Sequence, residues 1–269
     1  MKRDLYTLRT LSNLHVGSGD INFDVIDNQV QRDPVSTLPV IHSSSLKGAF
    51  REAAGESQYT KYIFGPESRD NDSHQTGAFH FFEASLLARP VRSNKKPFFM
   101  ATSVGVVSTF LTFLDDFGIE IDKELQEALT KLADAKPAEG APLHFTRESD
   151  VILEDLAAVG SDIDLSALED FLGSDIALFS DKDFKELDLP VIARNQLNDG
   201  ISNNLWYEEV VPKQSLFYFA IAKPTNLDEA DKRENLDAFE KRFDTTTQIQ
   251  VGANKSIGYG YCKLQKVSL

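Results

Sequence analysis

The stretch IDNQVQRDPVSTLPVIHSSSLKGAFRE, residues 26–52, brings a carboxylate, an Arg32-Asp33-Pro34 turn, three serines and a Lys47/Arg51 pair close together. A helix N-terminus after such a serine run would offer unpaired N–H groups and a positive dipole end to an anion. Lys47 and Arg51 lie four residues apart on one helix face, where both can meet consecutive phosphates, and Gly48 removes a side chain from the first turn. A capped helix with an ordinary exposed basic pair has the same pattern. Asp27 suits an Asx turn. With Asp20 and Asp24 it also suits a loose Mg²⁺ site, since Mg²⁺ needs only one or two carboxylates where phosphates supply other ligands. His15 and the Glu208/Glu209 pair are candidate helpers, each equally acceptable as a surface or turn residue.

A second constellation, VGANKSIGYGY at 251–261, places Lys255-Ser256 among glycines. It is not a Walker loop, because Asn254 rather than glycine precedes Lys255. It is not a dinucleotide fingerprint either, because it leads into a strand rather than from a strand into a helix. What remains is a loop whose backbone can approach another chain or a nucleic-acid backbone closely, or an ordinary turn.

The elements that must position these residues follow from periodicity. DLYTLRTLSNLHVG alternates as a strand, with Leu5, Thr7, Arg9, Leu11 and Asn13 on one side and Tyr6, Leu8, Thr10 and Leu14 on the other. A short helix is predicted from Ser44 or Ser45, with a serine as N-cap, Leu46, Ala49, Phe50 and Ala53 buried, and Gly55 near its end. GAFHFFEASLLA and KKPFFMATSVGVV read as strands, and IDKELQEALTKLADA as an amphipathic helix. An Asn-Asp-Gly turn between two β-capable runs predicts a protruding hairpin at about 191–211. SLFYFAIAK reads as a central strand buried on both faces. The next stretch reads as a helix, with Thr225 and Asp228 at capping-box spacing and Leu236, Phe239 and Phe243 buried. The expected fold is α+β: a β-α-β-β-α-β ferredoxin-like core from residues 1–111 and 191–269, with an acidic, partly helical insertion at 112–190.

Composition narrows the function. The 269 residues carry a net charge of −14, which at first sight opposes a phosphate-backbone partner. Its distribution matters more: residues 112–190 hold 21 acidic against 6 basic side chains, leaving 21 acidic and 22 basic elsewhere. The body is electrically neutral, with basic clusters at Lys47/Arg51, Arg89/Arg92/Lys95/Lys96 and Lys255/Lys263/Lys266. One cysteine, Cys262, and five scattered histidines give neither a disulfide nor zinc-ligand spacing. No secretory or membrane-spanning pattern is evident, so the cytoplasm is the expected location.

Taken jointly, LHVGSG (14–19), IDNQVQRDP (26–34), LPVIHSSSLKGAFRE (38–52), RPVRS (89–93), LWYEEVVP (205–212) and VGANKSIGYGY (251–261) resemble the RAMP proteins of CRISPR systems. Their order and content most resemble the repeated backbone subunit of the type III-B (Cmr) effector complex. Gln31-Arg32-Asp33 and LWYEE favour it over the type III-A counterpart. The resemblance implies an RRM-like palm with a thumb hairpin, stacked head to tail with copies of itself along a CRISPR RNA beside other Cmr subunits. It implies Ser45, Lys47 and Arg51 on the guide backbone, Asn254, Lys255 and Gly258 against RNA or a neighbouring subunit, and a thumb that splays out a guide nucleotide. It implies, too, that Asp27 cuts the complementary target RNA, holding a divalent metal (Mg²⁺ or Mn²⁺) or orienting the attacking group. The family pattern has Pro-Gly where this chain has His42-Ser43. A binding-only scaffold and an unrelated ferredoxin-like enzyme acting on a small molecule are the alternative readings.

Overall fold

Residues 1–19, 25–66, 76–198, 201–226 and 230–267 are described by a computed structural model. Strand β1 (Lys2–Thr10) is followed by the two-residue β2 (Val40–Ile41), then α1 (Ser43–Ala54) and α2 (Gln58–Phe64). Next come β3 (His80–Phe81), β4 (Ala84–Val91), β5 (Phe99–Ser103), α3 (Val104–Phe117) and α4 (Lys123–Asp134). Four two-residue strands, β6 (Leu143–His144), β7 (Ile152–Leu153), β8 (Leu156–Ala157) and β9 (Val159–Gly160), precede β10 (Ile176–Phe179) and α5 (Asp181–Glu186). β11 (Val191–Asn198) and β12 (Ile201–Glu209) form a separate antiparallel ribbon. β13 (Leu216–Lys223), α6 (Ala230–Phe243), β14 (Thr247–Gln250) and β15 (Tyr261–Lys266) complete the chain.

Alternation and continuous hydrophobicity dictate how these strands assemble. An 11-stranded sheet runs β14-β15-β1-β13-β4-β5-β10-β6-β9, with β2 on β4 and β3 on β13. β13, the unbroken apolar run, is buried at every position and lies between β1 and β4. The first strand pairs antiparallel with both β13 and β15. Its Tyr6 stacks on Phe219, with ring centroids 5.5 Å apart. Phe50 of α1 packs against Phe219 and against Phe239 and Phe243 of α6, so both helices cover one face of the sheet through aromatic contacts. Leu46, Ala49 and Phe50 form the buried stripe of α1, as their spacing predicts. In α6, Phe239 and Phe243 are buried, while Asp228 of the predicted capping box lies outside the described residues.

The acidic segment differs in detail from a plain insertion. The expected boundary at 111/112 falls inside α3, whose N-cap Ser103 accepts the Val106 N–H and whose apolar face carries the helix past it. β10 pairs parallel with β5, so residues 112–190 add strands to the main sheet. Helix α4 forms as predicted, capped by Asp122 and burying Ala128, Leu129 and Leu132.

The N-terminal end of β1 meets the end of α6 in a buried charge cluster. Lys223 Nζ, 1% exposed as a residue, lies 2.9 Å from Asp4 Oδ2, 2.9 Å from Asp244 Oδ1 and 3.3 Å from Glu240 Oε1. Lys266 adds contacts of 3.1 Å to Asp4 and 2.6 Å to Asp244, and the Tyr6 hydroxyl donates to Asp244 Oδ1 at 2.5 Å. Burial alone would raise the Asp4 carboxyl, but Lys223 and Lys266 outweigh it and hold the group below its ordinary value. Burial and the neighbouring carboxylates push the Tyr6 phenol far up, so it stays a donor.

Replacing Lys223 by Met removes the central cation and leaves Asp4 and Asp244 to Lys266, the exposed Lys2 at 3.4 Å from Asp4 and the Tyr6 hydroxyl. Urea denaturation is expected to show a loss of about 3–5 kcal/mol. The stabilisation from Asp4 is complete above its unfolded value of 3.8 and lost as pH falls through the lower folded value. An acid titration monitored by circular dichroism should therefore show Asp4→Asn shrinking the acid dependence of stability below that point.

Candidate nucleic-acid interface

Gln31 sets the geometry of the helix start. Its backbone N–H donates to Val16 O at 2.8 Å and its carbonyl accepts the Val40 N–H at 3.1 Å, which locks it between two segments. Its side-chain Nε2 donates to Gly17 O at 3.2 Å and to Ser45 Oγ at 3.0 Å, while Oε1 accepts the His42 N–H at 2.8 Å. The predicted serine cap is thereby corrected: His42 is the N-cap residue and makes no side-chain cap, because Gln31 supplies the acceptor and draws Ser45 into the first turn. Ser45 accepts from Gln31 and keeps its own O–H to donate. His42 Nδ1 instead faces Glu83 Oε2 at 2.7 Å.

The two basic residues of α1 part company. Lys47 is half-buried, has no hydrogen bond or ion pair among the described residues, and lines an open cleft with Ser43, Ser44, Gly65 and His80. Arg51 donates from Nη2 to Gly65 O at 3.0 Å, closing the end of α2. Among the described residues lining the cleft, Lys47 is the cation without a partner.

The glycine loop is built against the end of β1. Gly252 has φ +79, and a Cβ there would sit 2.3 Å from the His15 carbonyl oxygen. Gly260 has φ +74, and its Cβ would fall 2.0 Å from Val251 O. Both must be glycine. Ala253 N–H donates to His15 O and Gly260 N–H to Asn13 O, each at 2.9 Å, so the loop is stitched to residues 13–15. Asn254 is left-handed at φ +65, and Gly258 closes the turn over Lys255–Ile257 facing open space. Lys255 Nζ lies 2.5 Å from Glu52 Oε1, with both side chains exposed. That partner raises the Lys255 ammonium above its ordinary value. The loop is thus tethered to α1.

Between loop and ribbon lies Glu208, whose side chain is 5% exposed. Its Oε2 accepts from Arg194 Nε at 2.6 Å and its Oε1 from Asn254 Nδ2 at 2.6 Å, with His15 Nε2 at 3.7 Å. His15 Nδ1 lies 2.7 Å from the Glu209 carbonyl, which can only accept, so that nitrogen carries the proton. Arg194 also sits over the Tyr259 ring, 4.6 Å from its centroid. Glu209 turns the other way: Oε1 meets Arg32 Nη2 at 2.5 Å and Oε2 accepts the Val30 N–H at 3.1 Å. Arg89 of the RPVRS motif, pushed down to about 10 by burial, donates to Asp188 O at 2.7 Å just ahead of the ribbon.

Asp27 rides on this frame. Asn28 bridges Glu208 in parallel register, exchanging hydrogen bonds with Tyr207 O at 3.1 Å and Glu209 N at 2.9 Å. The Tyr207 N–H then donates to Asp27 Oδ2 at 2.7 Å. The carboxylate is exposed: Oδ2 is pinned, and Oδ1 has no hydrogen-bond partner among the described residues. Asp20 and Asp24 lie outside the described residues. Among the described residues, the grouped carboxylates with metal-ligand spacing are Asp4, Glu240 and Asp244, where Lys223 and Lys266 already supply the positive charge. Sequence reasoning named His15, Glu208, Glu209 and Asn254 but missed Arg194, which no motif marks, and the role of Tyr259 within the VGANKSIGYGY loop.

Comparison with known proteins matches this frame. The RAMP superfamily model covers residues 7–263. A CRISPR system Cmr endoribonuclease, Cmr4 of Pyrococcus furiosus, is 30% identical over 295 residues, spanning 98% of this chain and 95% of the relative. Oligomeric Cmr4 from the same organism superposes with a TM-score of 0.71 at 23% identity, covering 100% of both chains. A chain of the type III-B Cmr-beta complex bound to cognate target RNA gives 0.76 at 19% identity, covering 99% of this chain and 98% of that one. No helix among the described residues is long and apolar enough to cross a membrane. The chain belongs to the RAMP superfamily and, within it, to the family of the Pyrococcus Cmr4 protein.

Proposed function

We propose that this chain is the repeated backbone subunit of a type III-B CRISPR ribonucleoprotein, binding CRISPR RNA and cutting complementary target RNA at regular intervals. Membership of the Cmr4 family supports the reading, as do the fold shared with oligomeric Cmr4 and with a target-RNA-bound complex chain. The observation that carries the chemistry is the Asp27 carboxylate, pinned by Tyr207 at the root of the β11–β12 ribbon. The strand order β15-β1-β13-β4, joined through α1 and α6, supports a ferredoxin-like palm, with the ribbon as its thumb. Ser45, Lys47 and the glycine loop would lie along the guide backbone, and Arg51 would act by holding α2 in place.

In the proposed reaction the target's own 2′-hydroxyl attacks the adjacent phosphorus as the 5′-oxygen departs. The free oxygen of Asp27 receives the 2′-hydroxyl proton, and water protonates the leaving oxygen. The products are a 2′,3′-cyclic phosphate and a 5′-hydroxyl end. Tyr207 holds the carboxylate in place, and a nucleotide splayed by the ribbon would bring the attack into line. A divalent ion, where one takes part, would be held by Asp27 together with RNA phosphate oxygens, since Mg²⁺ needs only one or two carboxylates where phosphates supply other ligands. Such an ion would neutralise phosphate charge.

In an assembled complex, Asp27→Ala is expected to cut target cleavage by about 100-fold or more while leaving target binding intact. Cleavage unchanged in the variant would clear Asp27 of the role and move the cut to His15, Glu209 or another subunit, the last of these making this chain a binding-only scaffold. Products ending in 5′-phosphate and 3′-hydroxyl would rule out internal attack, and full activity in excess chelator would dispense with a divalent ion. Glu208→Ala should lower stability by about 3 kcal/mol, the low end for a broken buried pair because Arg194 keeps some exposure. Hydrogen exchange at the Tyr207 amide should quicken with it, and Glu208→Gln should recover part of both.

A further inference from the structure

We propose that the exposed face of β14 and β15, up to its border with β1, is a second surface for single-stranded RNA, with Tyr261 as a stacking ring and the half-buried Arg9 and exposed Lys263 as a phosphate seat. The proposal rests on the reading of this chain as an RNA-handling subunit and adds a contact outside the α1 and ribbon site.

Register places the residues. Lys263 pairs with Arg9 of β1 on one side and with Gln248 of β14 on the other, while Tyr261 pairs with Gln250 and Gln265 with Thr7. Tyr261, Lys263 and Gln265 point to the exposed face, whereas Cys262 and Leu264 between them are fully buried against the helices. Two cations thus stand directly opposite each other, an arrangement that costs stability unless an anion joins them. Arg9 donates to Phe171 O at 2.7 Å and Gln214 O at 3.4 Å, neither of them a carboxylate. Lys263 has no ion pair among the described residues. Burial presses the Arg9 guanidinium below its ordinary value, as expected of a cation without a counter-charge.

A cavity of about 160 Å³ opens at this row, lined by Thr7, Arg9, Asp170, Lys263, Gln265 and Lys266. Its single carboxylate, Asp170, makes no ion pair with Arg9 or Lys263, and Lys266 is spent on Asp4 and Asp244. The volume suits one phosphate group. Tyr261 is 40% exposed and stands two residues away, roughly 7 Å along the strand. Tyr261 opens β15 immediately after Gly260, so the face continues from the glycine loop. A flat ring, paired cations and the Gln248 and Gln265 amides are what a single strand uses for stacking, charge and base edges. The acidic 112–190 segment of another copy would meet the cations but leave the ring and amides idle.

The test titrates a short, labelled, non-pairing RNA against the full chain by fluorescence anisotropy. Tyr261→Ala should weaken binding by about 5- to 100-fold, with Tyr261→Phe close to wild type. Lys263→Ala should lower the salt slope of log K by about 0.7. Tyr261→Ala binding like wild type, while Lys47→Ala loses affinity, would overturn this proposal and leave the functional reading standing. No RNA affinity in any form, guide-loaded complex included, would sink that reading as well. If Lys263→Glu abolished self-association in sedimentation but left RNA affinity unchanged, the face would be a protein interface and the proposal wrong.

Discussion

A carboxylate cannot be buried alone, and the site is organised around satisfying one that is. Glu208 is removed from water where three stretches of chain meet, and each stretch contributes a polar partner: His15 from beyond β1, Arg194 from β11 and Asn254 from the glycine loop. Losing the ribbon or the loop would strip the carboxylate of one of its two hydrogen-bond donors, Arg194 or Asn254, in a poor solvent for charge. The ribbon, the loop and the sheet edge are therefore held in one arrangement. Gly252 and Gly260 are the backbone expression of the same constraint, since a side chain at either would push the loop off residues 13–15 or close its own ends wrongly.

The same economy of charge explains how an acidic chain can serve a polyanion. Its excess negative charge lies within residues 112–190, which continue the sheet beyond β5. At physiological ionic strength a charge is screened over about 8 Å, so what RNA senses is the local surface rather than the sum. Lys47, Lys263 and Lys213 lack ion-pair partners among the described residues, whereas the cations of the Lys223 cluster are consumed internally. Cations of both kinds look alike in composition. Only their depth separates structural charge from charge on offer.

That distinction also marks how far the sequence could be read. Period-two alternation and the SLFYFAIAK run carried β1 and β13, and the Phe50, Phe239 and Phe243 spacings carried the helices, because hydrophobic burial is periodic in the chain. The glycine loop and the hairpin were legible from turn chemistry. The joining of β10 to β5 was not, because a parallel pairing across more than seventy residues leaves no local trace. Nor was the capping of α1 by Gln31, since a side chain from a distant loop can replace the local serine with no mark on the helix itself. Arg51 and Lys47 share a helix face and a charge, yet a single carbonyl at Gly65 divides their roles. Asp27 stood out only through the family resemblance; its partner is a backbone N–H, which every residue but proline has.

On the proposed reading, one pinned carboxylate is enough because the substrate brings its own nucleophile. A 2′-hydroxyl is already bonded to the sugar that bears the scissile phosphate, so no second reactant has to be captured. What remains is to turn the ribose until attack and departure are in line, and effective molarities of about 10⁵–10⁸ M show how much such positioning can achieve. Asp27 meets that need by being fixed rather than by being surrounded: its neighbour Asn28 is bonded into β12 on both sides, and its own oxygen takes the next N–H along. Cutting competence then depends on the ribbon root staying rigid, and the spacing between cuts on how copies repeat along the guide. Chemistry belongs to the subunit and periodicity to the assembly, which is why a single exposed aspartate, unremarkable in isolation, becomes decisive once repeated.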